Sequence, residues 1–286
     1  MQSKDAVIVG QGPAGISAAL YLQRAGLQTV LVGGGPGGLA KAERIDNYYG
    51  LPAISGADLH AAGVAQARAL GAELAEDQVV GVEYDGAAFT LVGSKDRYTG
   101  RSILFATGAA RVTPPIRGLK DLEGQGVSYC AVCDGFFYRG KEVAVLGNGD
   151  YALHEAGELL PLAAKVTLLT DGKPAPENLP DNLAVDTRPI DHLEGSPLRA
   201  VHFREGESLP VSGLFVALGV ASAADLAKKI GIFTEGQYIK VNEKMETNFP
   251  GIYAAGDCVG GLLQVAKAVG EGAIAGTAMV QYLRKK

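Results

Sequence analysis

The sequence predicts an α/β fold made of two dinucleotide-binding domains, with the second domain inserted in the first. Two observations carry this prediction. A short apolar run at residues 6–9 enters a G-x-G-x-x-G box at residues 10–15, and the order of strand, glycine-rich turn and helix restarts near residue 141. The length of 286 residues agrees with it, since a domain takes roughly 100–200 residues.

Charge and composition favour an ordinary globular protein of the cytoplasm. Lys and Arg number 26 against 31 Asp and Glu, a formal net charge of −5, so neither nucleic acid nor an anionic membrane is an expected partner. No apolar run reaches the roughly 18 residues of a membrane span. Charged Lys4 and Asp5 lead into the first apolar run without a signal peptide.

The first glycine box lies between a predicted strand and a predicted helix. The helical pattern starts at Ile16 and stops near Gly26, and residues 28–32 form the next strand. Glycines permit a tight turn and let backbone N–H groups at the helix start face a pyrophosphate. The alternative is a glycine-rich turn without a ligand, which the flanking strand and helix disfavour.

Further strands complete the first domain. Residues 79–84 and 87–92 flank Asp85-Gly86, which is a hairpin signal. A strand at 103–105 ends in three small residues at 106–108. Near the end of the chain, a helix from about residue 263 has no strand after it, so we expect it to return to this domain.

The repeat of the pattern defines the second domain. A strand at 141–146 leads into a glycine-rich turn and a helix that stops at Pro161. Further strands are predicted at 165–169, 201–203, 209–211 and 214–218. The first domain then comprises residues 1–111 and 237–286, around an inserted domain at 112–236.

The cysteines indicate redox chemistry. Cys130 and Cys133 are spaced C-x-x-C, which in an α/β protein of the cytoplasm indicates a redox pair. Zinc is the alternative, but it needs two more ligands and no second C-x-x-C or H-x-x-x-H exists, so we expect no metal site. Cys258 is better explained as a small buried residue than as a third redox thiol.

Four segments together resemble the low-molecular-weight thioredoxin reductase family of flavoproteins. They are VIVGQGPAG at 7–15, ATG at 106–108, CAVCDGFFY at 130–138 and GIYAAGD at 251–257. The resemblance implies two Rossmann-like domains of the three-layer ββα type, FAD in the first and a redox disulfide in the second. It also implies a homodimer whose partner is thioredoxin or a thioredoxin-like protein.

The resemblance also implies roles for individual residues around FAD. Asn47 lines the flavin, the backbone of Val79 faces the adenine, and Asp257 accepts hydrogen bonds from the ribityl chain. A helix N-cap is the alternative role for Asp257. Gln264 and Val265 approach the isoalloxazine ring. The remaining cofactor-binding positions are Gly10, Gly12, Pro13, Ala14 and Gly15 around the pyrophosphate, with Gly33, Gly34, Ala106, Thr107, Gly108 and Gly256.

Three residues carry the expected disulfide chemistry. A thiolate attacks a disulfide and a second thiol resolves the mixed disulfide. By the family match, Cys133 faces the flavin and Cys130 attacks the partner disulfide. Asp134 follows directly and suits a general acid that protonates a leaving thiolate; its alternative role is that of a turn residue before Gly135.

The sequence departs from the family at the expected NADPH site. The family carries a basic H-R-R-x-x-x-R stretch for the 2′-phosphate, whereas no arginine occurs from 140 to 187 and Lys173 alone is a poor substitute. In the second glycine-rich turn, Asp150 repels a phosphate and Tyr151 is bulky where close approach is needed. The domain therefore resembles a degraded NAD(P)H-binding type.

An enzyme of this build needs another electron source. Its closest resemblance is to the pyridine-nucleotide-independent, ferredoxin-dependent flavin thioredoxin reductases, so we expect ferredoxin as the donor. The positive charges of Arg139 and Lys141 near the cysteines suit an acidic ferredoxin. Two such charges are, however, ordinarily explained as solvated surface residues without a partner protein. The alternatives are an NAD(P)H- or deazaflavin-dependent reductase, a dithiol oxidase that uses oxygen, and a flavin-bearing redox sensor without turnover.

Overall fold

The chain forms two compact units. The structure, a computed structural model, describes residues 3–35, 37–51, 53–108, 113–219 and 221–285. One unit comprises Met1–Arg111 and Ser222–Lys286, and the other comprises Val112–Ala221. The predicted boundary at 111/112 lies outside the described residues.

The second boundary differs from the sequence prediction at 236. The compact inserted unit ends at residue 221, because the helix Ala223–Lys229 belongs to the other unit. That helix packs against the strand Val79–Tyr84, and Lys229 Nζ donates a hydrogen bond to the Val80 carbonyl at 3.3 Å. Ser222 caps the helix, and its hydroxyl accepts from the Asp225 N–H.

Helices and strands alternate through the first unit and the inserted unit. The first segment contains β1 (Lys4–Val9), α1 (Pro13–Arg24), β2 (Thr29–Val32), a 3₁₀ turn (Gly37–Lys41), α2 (Gly56–Ala69), β3 (Glu73–Ala75), β4 (Val79–Tyr84), β5 (Phe89–Gly93) and β6 (Arg97–Phe105). The inserted unit contains β7 (Val127–Ser128), α3 (Ala131–Asp134), a 3₁₀ turn (Gly135–Tyr138), β8 (Glu142–Leu146), α4 (Asp150–Leu159), β9 (Lys165–Leu169), β10 (Ala184–Asp186), β11 (Ile190–Gly195), β12 (Leu198–Phe203), β13 (Leu209–Pro210) and β14 (Gly213–Val216). The last segment contains α5 (Ala223–Lys229), β15 (Thr234–Glu235), β16 (Tyr238–Ile239), β17 (Ile252–Ala254), a 3₁₀ turn (Asp257–Val259) and α6 (Val265–Arg284).

A seven-stranded sheet organises the first unit. Its order is β3-β2-β1-β6-β5-β4, with β17 also paired to β6. The strands β1, β2, β3, β6 and β17 run parallel, and the register aligns Val9 with Val32 and Phe105, and Phe105 with Ala254. The carboxyl ends of these strands therefore share one edge of the sheet, which is where ligands bind in open α/β sheets.

In the first unit, helices α1 and α6 pack so closely that their backbones approach each other. Gly272 lies so close to α1 that a Cβ there would sit 2.2 Å from the Ala14 carbonyl oxygen. Ser17 Oγ donates to the Val269 carbonyl at 2.8 Å. The last helix thus returns to the first unit, as the sequence predicted. No helix within the described ranges, α6 included, has both the length and the apolar character that crossing a bilayer requires.

The inserted unit has three layers. A parallel sheet of order β10-β9-β8-β14-β7 lies in the middle, and α4 packs on its strands β8 and β9. An apolar core joins the parallel sheet to the three-stranded sheet β11-β12-β13, with Leu146 and Leu214 from one sheet and Val201 and Phe203 from the other. This is the ββα arrangement that the resemblance implies. Strands such as β3, β7 and β10 escaped the sequence analysis because two or three residues show no periodicity.

We predict that Gly272→Ala weakens the packing of α6 on α1. The added methyl group must displace the Ala14 backbone, and overpacking of this kind costs about 1–3 kcal/mol of unfolding free energy. Urea unfolding measures this change. Gly270→Ala is the matched control on the same helix, because a Cβ there meets nothing within 4 Å and alanine favours a helix by about 1 kcal/mol. Equal stability of the two variants would contradict the prediction.

Candidate active site

The first glycine box forms a cradle at the carboxyl edge of the sheet in the first unit. Gly10 has φ +113°, and a Cβ there would lie 2.2 Å from the Ala106 carbonyl oxygen; a Cβ at Gly15 would lie 2.2 Å from that of Gly10. These two glycines therefore allow the turn to touch the end of β6 and the start of α1. The structure thus brings the box together with Ala106 and Thr107, which follow β6.

Gly12 faces open space instead. A Cβ there meets no protein atom within 4 Å. Gly12 is the N-cap of α1, Pro13 opens the helix, and no side chain of the described residues caps it or places a carboxylate in its first turn. The free N–H groups and the helix dipole favour an anion at this point, so the cradle fits a pyrophosphate.

Gln11 joins the box to neighbouring strands, and the sequence analysis missed it. Its Nε2 donates to the Ala75 carbonyl at 2.9 Å and to the Leu31 carbonyl at 3.3 Å. The Gly33 N–H donates to the same Ala75 carbonyl at 3.1 Å, whereas Gly34 is exposed. Val79 begins β4 a short loop after Ala75 and is buried. Gln11 occupies the first variable position of the G-x-G-x-x-G box, and the motif says nothing about the contacts of that residue.

Asn47 and Gln264, both assigned to the flavin by resemblance, lie in contact. Asn47 Nδ2 donates to Gln264 Oε1 at 2.9 Å although 217 residues separate them. Val265 is the next residue and opens α6. Both amides are exposed, and exposed Leu262 and Leu263 directly precede Gln264. Polar amides beside apolar side chains suit a flat heteroaromatic ligand.

A half-buried ion pair holds the segment at Gly256 and Asp257. The Gly256 N–H donates to Glu271 Oε2 at 2.8 Å, and Lys267 Nζ donates to the Gly256 carbonyl at 2.9 Å. Lys267 and Glu271 also pair with each other at 3.1 Å. The sequence analysis missed both residues, although their i, i+4 spacing is the signal of a helical ion pair.

The carboxylate of Asp257 is available to bind a ligand. It is half-buried at the start of a 3₁₀ turn whose N-cap is Gly256 rather than Asp257 itself. In the described parts of the chain, no side chain or backbone group bonds to this carboxylate. A half-buried carboxylate ordinarily has a hydrogen-bond donor, so this position fits the hydroxyl groups of a bound ribityl chain.

Cys258 is a packing residue of the same segment. Its thiol is buried and donates to the carbonyls of Phe105 and Ala255, each at 3.3 Å. Burial raises the pKa of this thiol to about 12, so it stays protonated and unreactive at neutral pH. The structure therefore agrees with the sequence interpretation of Cys258 as a small buried residue.

The inserted unit carries the disulfide. Cys130 and Cys133 are joined, with their Cα atoms 5.3 Å apart. Cys130 is the N-cap of the short helix α3, and its Sγ accepts from the Cys133 N–H at 3.2 Å. Cys130 is 4% exposed, whereas Cys133 is exposed. The N–H contact favours a thiolate on Cys130, but the more accessible sulfur is that of Cys133.

Asp134 is held beside the disulfide by Ser128. Asp134 Oδ2 accepts from Ser128 Oγ at 2.7 Å, and Ser128 Oγ accepts from the Cys130 N–H at 3.1 Å. Burial and then the charge of Asp134 raise the pKa of Tyr138. Asp134 is thus more than a turn residue before Gly135, and Ser128, which the sequence analysis missed, links it to the cysteine backbone.

The second glycine-rich turn differs from the expectation in one respect. Tyr151 does not crowd the turn: its side chain is 2% exposed and its hydroxyl donates to the Tyr129 carbonyl at 3.4 Å. Asp150 does occupy the first turn of α4. Arg188, just beyond the arginine-free stretch, donates to both carboxylate oxygens of Asp186 and lies 3.9 Å over the ring of Phe203.

The surface next to the disulfide is apolar with cations beside it. Phe136 and Phe137 are 67% and 70% exposed. Arg139 lies 5.4 Å over the ring of Phe136, and Lys141 lies 5.7 Å from the ring centre of Tyr138. Within the described ranges, no group of three or more His, Cys, Asp or Glu side chains is arranged to hold a metal ion.

Comparison with known proteins identifies relatives along the whole chain. The family model described as pyridine nucleotide-disulphide oxidoreductase matches residues 4–272. The thioredoxin reductase of Bacillus subtilis is 35% identical over 302 residues, which cover 98% of this chain and 95% of that protein. The atypical thioredoxin reductase TRi from Desulfovibrio vulgaris Hildenborough is 40% identical, with a TM-score of 0.93 and 99% of both chains covered. A ferredoxin-flavin thioredoxin reductase from Clostridium acetobutylicum is 32% identical, with a TM-score of 0.74 and 99% of both chains covered.

We predict that Gly12→Ala folds normally but binds FAD at least about tenfold more weakly. The added methyl group meets no protein atom, yet it stands where the helix N–H groups face the pyrophosphate, and one charged hydrogen bond is worth about 1.5–3 kcal/mol. Flavin absorbance per polypeptide and the circular dichroism of the same sample measure both properties. Gly157→Ala, equally unhindered but on α4 of the inserted unit, should keep full flavin; equal flavin content in both variants would refute the assignment of Gly12.

Proposed function

This chain belongs to the pyridine nucleotide-disulphide oxidoreductase family, as an FAD-dependent member of the low-molecular-weight thioredoxin reductases, and we propose that ferredoxin rather than NADPH is its electron donor. The protein is an oxidoreductase that acts on a sulfur group. The observation that carries the proposal is the second glycine-rich turn: Asp150 stands in the first turn of α4, no arginine occurs from 140 to 187, and the next arginine, Arg188, is paired with Asp186.

The chemistry of the inserted unit is thiol–disulfide exchange. FAD bound in the first unit would supply the two electrons which, together with two protons, reduce the Cys130–Cys133 disulfide to a dithiol. The Cys130 thiolate then attacks one sulfur of the thioredoxin disulfide, forms a mixed disulfide and releases the other sulfur as a thiolate. Asp134 protonates that thiolate. The Cys133 thiolate attacks Cys130 Sγ, which restores the intramolecular disulfide and frees reduced thioredoxin.

A protein substrate suits the surface around the disulfide. Phe136 and Phe137 follow Asp134 after one glycine and are mostly exposed, as is about half of Val132. Exposed aromatic side chains next to a reactive group are typical of protein–protein contact surfaces. They would bury against a thioredoxin rather than enclose a small disulfide. A homodimer and a cytoplasmic location stay predictions.

Binding of NADPH to the inserted unit meets two obstacles. A carboxylate in the first turn of α4 repels a pyrophosphate at the helix N-terminus. Arg188 is already bound to Asp186 and stacked on Phe203, so it supplies no clamp for a 2′-phosphate. Two lost charge-assisted hydrogen bonds amount to about 3–6 kcal/mol, or about two to four decades in affinity.

A ferredoxin needs no pocket, because electrons can pass from a docked protein. Arg139 and Lys141 provide positive charge next to the disulfide, and a ferredoxin-flavin thioredoxin reductase matches 99% of the chain. These two observations favour a ferredoxin donor over a deazaflavin, for which we find no specific support.

We predict that reduced ferredoxin bleaches the bound flavin at least about tenfold faster than NADPH does. The reason is the double obstacle to NADPH, of which NADH avoids only the missing 2′-phosphate clamp. Anaerobic stopped-flow measurement with the three reductants in parallel tests this. Rapid, saturable bleaching by sub-millimolar NADPH would overturn the proposed donor, and rapid oxygen consumption with a dithiol would favour an oxidase instead.

We predict that Cys130→Ser and Cys133→Ser each abolish thioredoxin reduction while FAD stays bound. Only the Cys133→Ser protein should rapidly displace 2-nitro-5-thiobenzoate from a thioredoxin with one activated cysteine, because the Cys133 N–H favours a thiolate on Cys130. The absorbance of the released thiolate measures the rate. Cys258→Ala should match the parent protein, since that thiol is buried. A faster reaction of the Cys130→Ser protein would assign the attack to Cys133.

A further inference from the structure

One face of α4 lies along the segment that carries the disulfide. Tyr151, Glu155 and Leu159 are spaced i, i+4 and therefore share this face. Tyr151 donates to the Tyr129 carbonyl at 3.4 Å, and Glu155 Oε2 accepts from the Ala131 N–H at 2.7 Å. These two hydrogen bonds hold the backbone on either side of Cys130.

Leu159 extends the same contact beyond the cysteines. Its Cδ2 atom would lie 3.2 Å from a Cβ placed on Gly135. The order of the three side chains along α4 thus follows the order of the residues that they touch, from 129 through 131 to 135. The helix supports the whole redox segment rather than one point of it.

Glu155 is the unusual member of this face. It is 1% exposed, and its buried neighbours on α4 are apolar or aromatic. Taking a carboxylate out of water costs several kcal/mol, which a leucine at the same position would avoid. The short hydrogen bond from the Ala131 N–H offsets part of this desolvation cost. It also fixes the carboxylate next to the residue that follows Cys130.

We propose that Glu155 is a positioning residue of the disulfide, and that its carboxylate lowers the thiolate content of Cys130 in the reduced protein. This deepens the proposed function, since it concerns the same disulfide. Its test, however, uses neither thioredoxin nor ferredoxin, so it can fail independently of the proposed donor and substrate.

The sign of the effect follows from the charges around Cys130. The Cys133 N–H favours a charged sulfur on Cys130. The Glu155 carboxylate, which is bonded to the N–H of the next residue, Ala131, opposes that charge. The other titratable groups of this region have partners other than Glu155: Asp134 is bonded to Ser128, Glu123 to the Tyr129 hydroxyl, and the Tyr151 hydroxyl to the Tyr129 carbonyl. Removing only the charge of Glu155 should therefore raise the thiolate fraction.

The experiment compares Glu155→Gln with Glu158→Gln in the reduced protein. Glutamine keeps an oxygen that accepts from the Ala131 N–H but carries no charge. Glu158 lies on the same helix at an exposed position, 3.9 Å from His154 Nε2. The Glu158→Gln variant is the matched control, because it removes one negative charge from the same helix. The measured quantity is the rate of iodoacetamide alkylation at Cys130 at pH 7, located by mass spectrometry.

The expected result is an alkylation rate about three- to tenfold higher for Glu155→Gln, as for a thiol pKa lowered by up to about one unit. Glu158→Gln should stay within about twofold of the parent protein. A folded Glu155→Gln protein that reacts like the Glu158→Gln protein would overturn the proposal.

A second measurement applies even where Glu155→Gln does not fold. In the parent protein, the Ala131 amide proton should resonate downfield and exchange slowly in both the disulfide and the dithiol form, because a buried carboxylate accepts it. An Ala131 amide that exchanges as freely as that of an exposed loop would equally overturn the proposal.

Discussion

The parallel register of β1, β6 and β17 is the constraint on which the flavin site depends. It aligns Val9, Phe105 and Ala254, so that three turns far apart in the chain leave the sheet at one edge. The close approach of Gly10 to the Ala106 carbonyl then brings the first two turns into contact. A side chain at Gly10 would separate them, which explains why the box needs glycine there. Gly12 has open space around it, and we propose that glycine at this position serves the ligand instead.

Much of this arrangement could be predicted from the sequence, because its signals are local. Apolar runs that end in glycine predict β1 and its turn, and Asp85-Gly86 predicts the β4–β5 hairpin, where the Asp85 carboxylate accepts from the Ala87 and Ala88 N–H groups. The contacts of Gln11 and the bond between Asn47 and Gln264 could not be predicted. They join residues far apart in the chain, and nothing in their neighbourhood marks them.

The errors of sequence reasoning have equally physical causes. The predicted boundary at 236 placed α5 in the insertion, whereas the packing of α5 on β4 decides that it belongs to the first unit. Tyr151 was expected to obstruct the second turn because its bulk is evident from the sequence. The direction of its side chain is not, and burial against Tyr129 turns it away.

The contacts of α4 with the disulfide segment show how a domain of the dinucleotide-binding type could keep its fold without binding a nucleotide, as we propose. In such a domain the N-terminus of this helix serves the phosphate, whereas its buried face is free for another purpose. Here that face contacts the peptide groups on both sides of Cys130. The proposed loss of a phosphate site at Asp150 would leave these contacts intact, since they begin one residue later and point into the unit. The fold of the inserted unit can therefore hold the disulfide whether or not α4 binds a phosphate, and the proposed electron donor requires no change in that fold.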